Sequence, residues 1–176
     1  MANDSSIRLR PATPDDAELV AEAFVRNREY MRPWEPYRPA DFFTPRAQAN
    51  RLADPSVRRW HLADGGRIVG EATLSGIALG HFRNAHVGYW TDAAYTGRGL
   101  ATRAVEEACR AARDDLGLHR VEAATVLANG ASQAVLRKCG FELIGTAPRY
   151  SHIDGEWRDV YLFQRILHDG PPNAAP

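Results

Sequence analysis

The chain has 176 residues, 44% of them apolar and 25% charged, enough for one domain with a sizeable core. Its 22 Lys and Arg balance 22 Asp and Glu, which excludes a protein that works by neutralising many phosphates, so no direct nucleic-acid partner is expected. No early apolar run marks a signal peptide and no stretch of about 20 apolar residues could span a membrane, so a cytoplasmic protein with no membrane partner is expected.

In chain order, residues 1–6 read as a flexible start. "IRLRPA" at 7–12 alternates like a strand. Thr13 then stands as an N-cap, with Pro14 at the first helical position and Asp15 and Asp16 in the first turn. Ala17, Val20, Ala21 and Phe24 follow at helical spacing. Thr44 and Pro45 repeat the opening device for a second helix. "RRWHLAD" and "RIVGEATLSGIAL" read as two strands joined at Gly65-Gly66, and "AHVGYWTD" as a third. A helix is expected over 99–116, a strand at "RVEAATVL", and a short helix at "NGASQAVLRKCG" ending at Gly140. "FELIGTAPRYSHID" and "RDVYLFQRIL" form a last hairpin around Asp154-Gly155, before a Pro-, Gly- and Ala-rich tail at 169–176 read as disordered. Residues 7–168 are thus one domain, in the order β-α-α-β-β-β-α-β-α-β-β. This is a mixed α/β fold: a mostly antiparallel sheet with one parallel crossover over residues 85–140 and flanking helices.

Cys109 and Cys139 are the two cysteines, spaced for neither a disulfide framework nor a metal site, and read as small buried residues. On the helix over 99–116, Arg103–Glu107 and Glu106–Arg110 fall at i,i+4 and read as a solvated charged face.

The informative stretch is "AAYTGRGLATRAVEEACRAA" at 93–112, where Gly97 and Gly99 stand just ahead of a well-formed helix. Glycine costs backbone entropy, so its placement here asks for a reason. A helix start carries unpaired N–H groups and a partial positive charge, which together favour an anion, commonly phosphate. The glycines open the backbone to that anion, Ala101 and Ala104 keep the first turn small, and Arg98 and Arg103 add positive charge. The same letters also fit a plain glycine-punctuated turn. They match neither a P-loop nor a dinucleotide fingerprint.

"GYWTDAAYTGRGLATRAVEEA", then "NGAS" and "LRKCGFELIG", resembles the acetyl-CoA-binding core of the GNAT N-acetyltransferases. "NREYMRPWEPYRP" at 27–39 and "IDGEWRDVYL" at 153–162 resemble its RimJ/RimL branch, the RimJ pattern being the nearer; that branch acetylates the N-terminal alanine of ribosomal proteins. The resemblance implies acetyl-CoA as cofactor, a protein N-terminus as partner, and a monomer or homodimer. It also implies that the amides around Gly97, Arg98, Gly99, Leu100, Ala101 and Thr102 hold the coenzyme pyrophosphate. Thr96 stands where the family carries a longer polar side chain, which removes one contact but not the main-chain donors.

The family reaction is attack of a free amine on a thioester, which needs a deprotonated amine, a donor for the developing oxyanion, and a hydrogen for the departing thiolate. Glu35, in the shaped loop "PWEPY", and Glu71, mid-strand in "VGEATL", are the candidate bases. Each also reads as an ordinary surface acid. The amides of Tyr89, Trp90 and Thr91 are the expected oxyanion donors and line the pantetheine arm. Many family members place a tyrosine thiol donor at the position held here by Leu136, which cannot donate. The RimJ/RimL branch resembles "N-x-x-S" instead, matched by Asn129 and Ser132, and Ser132 becomes the expected hydrogen-bond donor to sulfur. Asn129 is expected to contact the cofactor in addition to serving as an N-cap, and Ser132 also reads as an ordinary first-turn residue. Lys138 is within the stretch that could meet coenzyme phosphate, and Trp34, Tyr37, Tyr150 and Trp157 are the expected walls of the peptide site. Acetylation of a small amine, and a non-catalytic acetyl-CoA-binding module, are the alternatives.

Overall fold

A computed structural model describes residues 6–172. The expected flexible start and tail lie outside these residues except for Ser6 and 169–172. Among the described residues there are seven strands and four helices in the expected order: β1 (Ile7–Pro11), α1 (Ala17–Met31), α2 (Pro45–Leu52), β2 (Arg58–Asp64), β3 (Arg67–Ala78), β4 (Asn84–Thr91), α3 (Leu100–Asp114), β5 (Arg120–Val126), α4 (Gly130–Lys138), β6 (Glu142–Ile153) and β7 (Glu156–Ile166).

Local chemistry sets several of these boundaries. Thr44 caps α2, its hydroxyl accepting from the Ala47 N–H at 3.3 Å, with Pro45 at the first position. At Thr13 the expected cap works in reverse. The Thr13 N–H donates to the Asp16 carboxylate at 2.9 Å, and a short 3-10 turn (Pro14–Asp16) precedes α1. Asp154 and Gly155 both take positive φ at the β6–β7 turn, as a tight hairpin requires.

The strands form one sheet in the order β1-β2-β3-β4-β5-β7-β6. Every neighbouring pair is antiparallel except β4 and β5, the parallel crossover built through α3. Alternation sends adjacent residues to opposite faces. Leu62, Val69 and Tyr89 face the core under α3 and α4, whereas Ala63, Ile68 and Trp90 face the core under α1. The buried face of α3 is Leu100, Ala104, Val105, Ala108, Cys109, Ala111 and Ala112, small enough to seat the helix closely on the sheet. Cys109 and Cys139 are buried free thiols, and burial pushes them up to about 11 and about 12.

The expected i,i+4 pairs on α3 do not form. Arg103 reaches the Ile7 carbonyl at 2.9 Å, and Glu106 accepts from Arg165 of β7 at 2.8 Å. Glu107 pairs instead with Arg110, three residues on. Packing against the sheet offers α3 partners that a solvated helix would lack.

Candidate active site

The parallel pairing of β4 and β5 lasts only from Asn84↔Arg120 to His86↔Glu122. Beyond it the two strands part, while β5 stays paired to β7 as far as Val126↔Val160. The Asp92 N–H donates to Val69 on β3, and the Gly88 carbonyl faces Thr73 of β3. Alternation along β4 therefore turns the peptide groups of Tyr89 and Thr91 toward the gap.

A cavity of about 620 Å³ fills this split. Its wall runs from residues 87–91 of β4 and 123–126 of β5 to the start of α3 and the cavity-facing side of α4. Trp34, Glu35, Ser151 and Ile153 close the far side. Two polar atoms of residues along this wall, Thr125 Oγ1 and Trp90 Nε1, are buried from solvent without a hydrogen-bond partner, the Trp90 ring being turned into the core under α1. Sequence reasoning missed Thr125, since a threonine late in a strand carries no signal of its own.

Gly97 and Gly99 both adopt left-handed backbone, with φ of 76° and 75°. This is the reason for the paired glycines: a side chain would be strained there whatever room it had. Gly99 ends the loop and α3 starts at Leu100, with the Arg103 N–H donating to the Gly99 carbonyl as the first turn closes. The N–H groups of Leu100, Ala101 and Thr102 precede that bond, have no intrahelical acceptor, and lie on the cavity wall. Here the sequence expectation needs amending. The guanidinium of Arg98 folds back onto the Ala94 carbonyl at 3.2 Å and over the Tyr95 ring, and Arg103 is tied to β1. Neither arginine points into the cradle, so its positive character comes from the main chain.

At the other end of α3's neighbour, Asn129 caps α4 by accepting from the Ser132 N–H at 3.0 Å. The Ser132 hydroxyl lies 2.8 Å from the Tyr89 phenol oxygen, and the phenol is 3.0 Å from the Ser132 carbonyl. Burial pushes the Tyr89 hydroxyl up to about 12. Leu136 is fully buried and offers no donor. Lys138 lies at the edge of the cavity wall.

Glu35 is partly buried where the large cavity meets a smaller one of about 190 Å³ between α1, the following loop and the β6–β7 turn. Burial raises its pKa, and Arg38, 3.7 Å away, only partly opposes this. Tyr37 lines the smaller cavity. Tyr150 and Trp157 do not join either wall; they sit exposed on the β6–β7 hairpin, with Trp157 packed edge-on against His152.

Glu71 is placed away from the cavity. Its side chain is buried under α2, ion-paired to Arg51 and 3.2 Å from His61 Nε2. His61 Nδ1 faces Asp16 at 3.1 Å, and Asp16 pairs with Arg10. Burial opposes ionisation of Glu71, but the His61 hydrogen bond and the Arg51 charge prevail and lower it to about 2. A carboxylate so committed is a poor proton acceptor for a substrate. Alternation placed it on the α1–α2 face, where the fold supplies a histidine and an arginine that the sequence keeps 10 and 20 residues away.

The loop between β4 and α3 is pinned from α1. Asn27 accepts from the Ala93 N–H at 2.9 Å, and the buried Asp92 accepts from Arg26 at 2.7 Å and Arg67 at 3.3 Å. None of these anchors was legible in the sequence.

Residues 6–142 match the acetyltransferase (GNAT) domain family. The chain is 30% identical to the [ribosomal protein uS5]-alanine N-acetyltransferase of Escherichia coli, over 89% of this chain and 86% of that one. Among solved structures it is similar to the ribosomal-protein-S5-alanine acetyltransferase of Vibrio fischeri, with a TM-score of 0.89, 33% identity, and coverage of 93% and 94% of the two chains. It is also similar to Mycobacterium smegmatis RimJ in complex with CoA-disulfide, with a TM-score of 0.79 and 29% identity over 91% of this chain and 81% of that one. The chain belongs to the GNAT acetyltransferase family and is an acetyl-CoA-dependent N-acetyltransferase. The residues present suit that cofactor: free helix-start amides for its phosphates and a split between strands for its arm.

Proposed function

We propose that this enzyme acetylates the N-terminal amine of a protein, with a ribosomal protein beginning in alanine as the acceptor. The observation that carries this reading is the agreement with the Vibrio fischeri enzyme, which extends over the acceptor-side elements as well as the cofactor core, since 93% of the chain superposes.

Bound acetyl-CoA supplies the acetyl group as an activated thioester. The amides of Leu100, Ala101 and Thr102, with the left-handed turn at Gly97 and Gly99, hold the pyrophosphate. The Tyr89 and Thr91 N–H groups face the gap and donate to the carbonyl oxygen where negative charge develops. Glu35, poised by burial nearer to neutral pH, accepts the proton of the attacking amine. A free α-amino group titrates near 7.7–8, so the demand on this base is modest. Ser132 donates a hydrogen bond to the leaving sulfur, and Asn129 fixes the turn that presents it. Trp34 and Tyr37 flank the acceptor.

The test is a panel of peptides and small amines incubated with enzyme and acetyl-CoA and read by mass. Alanine-initiated peptides are expected to gain one acetyl group at the N-terminus. Untouched peptides beside an acetylated small amine would replace this acceptor class with the small-molecule one.

A further inference from the structure

We propose that Tyr89 is a positioning residue for Ser132. Its phenol holds the serine hydroxyl in the resting site and gives it a hydrogen bond when the serine turns its own hydrogen toward the leaving sulfur. The inference rests on the reading of Ser132 given above.

The argument counts hydrogens. The Tyr89 phenol oxygen is 3.0 Å from the Ser132 carbonyl and 2.8 Å from its hydroxyl, and each hydroxyl owns one hydrogen. The carbonyl can only accept. When the phenol donates to it, the serine hydrogen is left to donate to the phenol oxygen, and both groups are satisfied. When the serine hydrogen turns into the cavity, the phenol hydrogen turns onto the serine oxygen. The carbonyl then keeps its helical partner within α4. With the leaving sulfur accepting the serine hydrogen, the second arrangement has as many hydrogen bonds as the first, and no buried group is orphaned in either.

The second arrangement strengthens the serine as a donor. An oxygen that accepts a hydrogen bond becomes more polarised and donates its own more strongly. No proton changes owner: two hydroxyl hydrogens rotate, while the electron pair from the broken carbon–sulfur bond stays on sulfur. The buried phenol, held far above neutral pH, stays protonated throughout and so remains a donor. The geometry is fixed from both sides. β4 carries Tyr89 on the face toward α4, and Asn129 holds the Ser132 N–H.

The experiment compares wild type with Tyr89→Phe, Ser132→Ala and the double variant, using the acceptor that the peptide panel identifies. Tyr89→Phe should lower kcat roughly 5- to 10-fold. The KM for acetyl-CoA, and its Kd by calorimetry, should stay within about twofold. Ser132→Ala should lose more, and the double variant should be no slower than Ser132→Ala alone. Acetyl-seleno-CoA, whose leaving selenolate needs less help, should shrink the Tyr89→Phe defect to under about twofold. Independently of turnover, the Tyr89 Cζ signal in carbon-13 tyrosine-labelled protein should move on Ser132→Ala and show no titration up to about pH 10. Ser132→Ala impaired while Tyr89→Phe keeps wild-type kcat would overturn the inference, as would penalties that multiply in the double variant. Full activity in Ser132→Ala would remove the reading of the serine, and this inference with it.

Discussion

At Glu35 and Glu71 one residue type meets two environments and acquires two characters. Glu35, on the cavity wall, is raised by burial, which the charges of Arg38 and Arg51 only partly oppose. Glu71, clasped by Arg51 and His61, is lowered. Their substitutions should separate cleanly. Glu35→Gln should cut kcat/KM about 10- to 100-fold at neutral pH, a modest general-base effect given the weakly basic amine. A raised carboxylate is neutral below its pKa, so wild-type rate should fall as pH drops through it, and that limb should vanish in Glu35→Gln. The same raised pKa means that ionised Glu35 strains the fold, so Glu35→Gln should not lower the melting temperature. A pH–rate profile with a calorimetric scan of each variant checks all three statements.

At the scale of the element, the start of α3 and the start of α4 meet the same cavity and are built differently. The first relies on left-handed glycine and bare amides, the second on a side-chain cap. Gly99→Ala forces a Cβ onto left-handed backbone, at a cost of about 1–2 kcal/mol. Under the proposed function it should raise the KM for acetyl-CoA more than it lowers kcat, because a cradle binds rather than reacts; initial rates at varied acetyl-CoA decide this. Asn129→Ala removes the α4 cap, at a cost of about 1 kcal/mol, which is roughly 2–4 °C in melting temperature for a chain of this size. It also frees the Ser132 N–H, so kcat should fall with it. Asp92 serves both loop and helix, joining Arg26 of α1 and Arg67 of β3 at the threshold of the glycine turn.

Across the whole molecule, the sheet divides the labour. One face, under α3 and α4, carries the cofactor-side core, and the other, under α1 and α2, carries a chain of linked polar side chains: Arg10, Asp16, His61, Glu71 and Arg51. Both carboxylates in that chain are depressed, Asp16 chiefly by Arg10. A depressed carboxylate contributes stability above its unfolded pKa and loses it as pH falls through the folded value. For Glu71 that window runs from 4.5 down to about 2. Wild type should therefore lose melting temperature steeply below pH 4.5. Glu71→Gln should be less stable at pH 7 and show a shallower acid limb, with KM for acetyl-CoA unchanged; melting curves from pH 7 to pH 2.5 test this.

The order of elements, the parallel crossover and the helix-start cradle were legible in the residues because they rest on local rules. Alternation, helical spacing, caps and the left-handed tolerance of glycine act within a few positions of the chain. "GRGLA" before an amphipathic helix, and Asn129 three residues before Ser132, carry their geometry with them. The fate of Glu71, the return of Arg98 and Arg103 to their own backbone, and the meeting of Tyr89 with Ser132 depend on partners tens of residues away. A strand pattern states which face a side chain takes, but the field it meets there is set by whichever helix packs on that face. For this protein the sequence by itself determined the scaffold and the helix start proposed to hold the cofactor. Only the tertiary structure decided how each candidate carboxylate is buried and paired, because charge and burial are properties of neighbours brought together by folding.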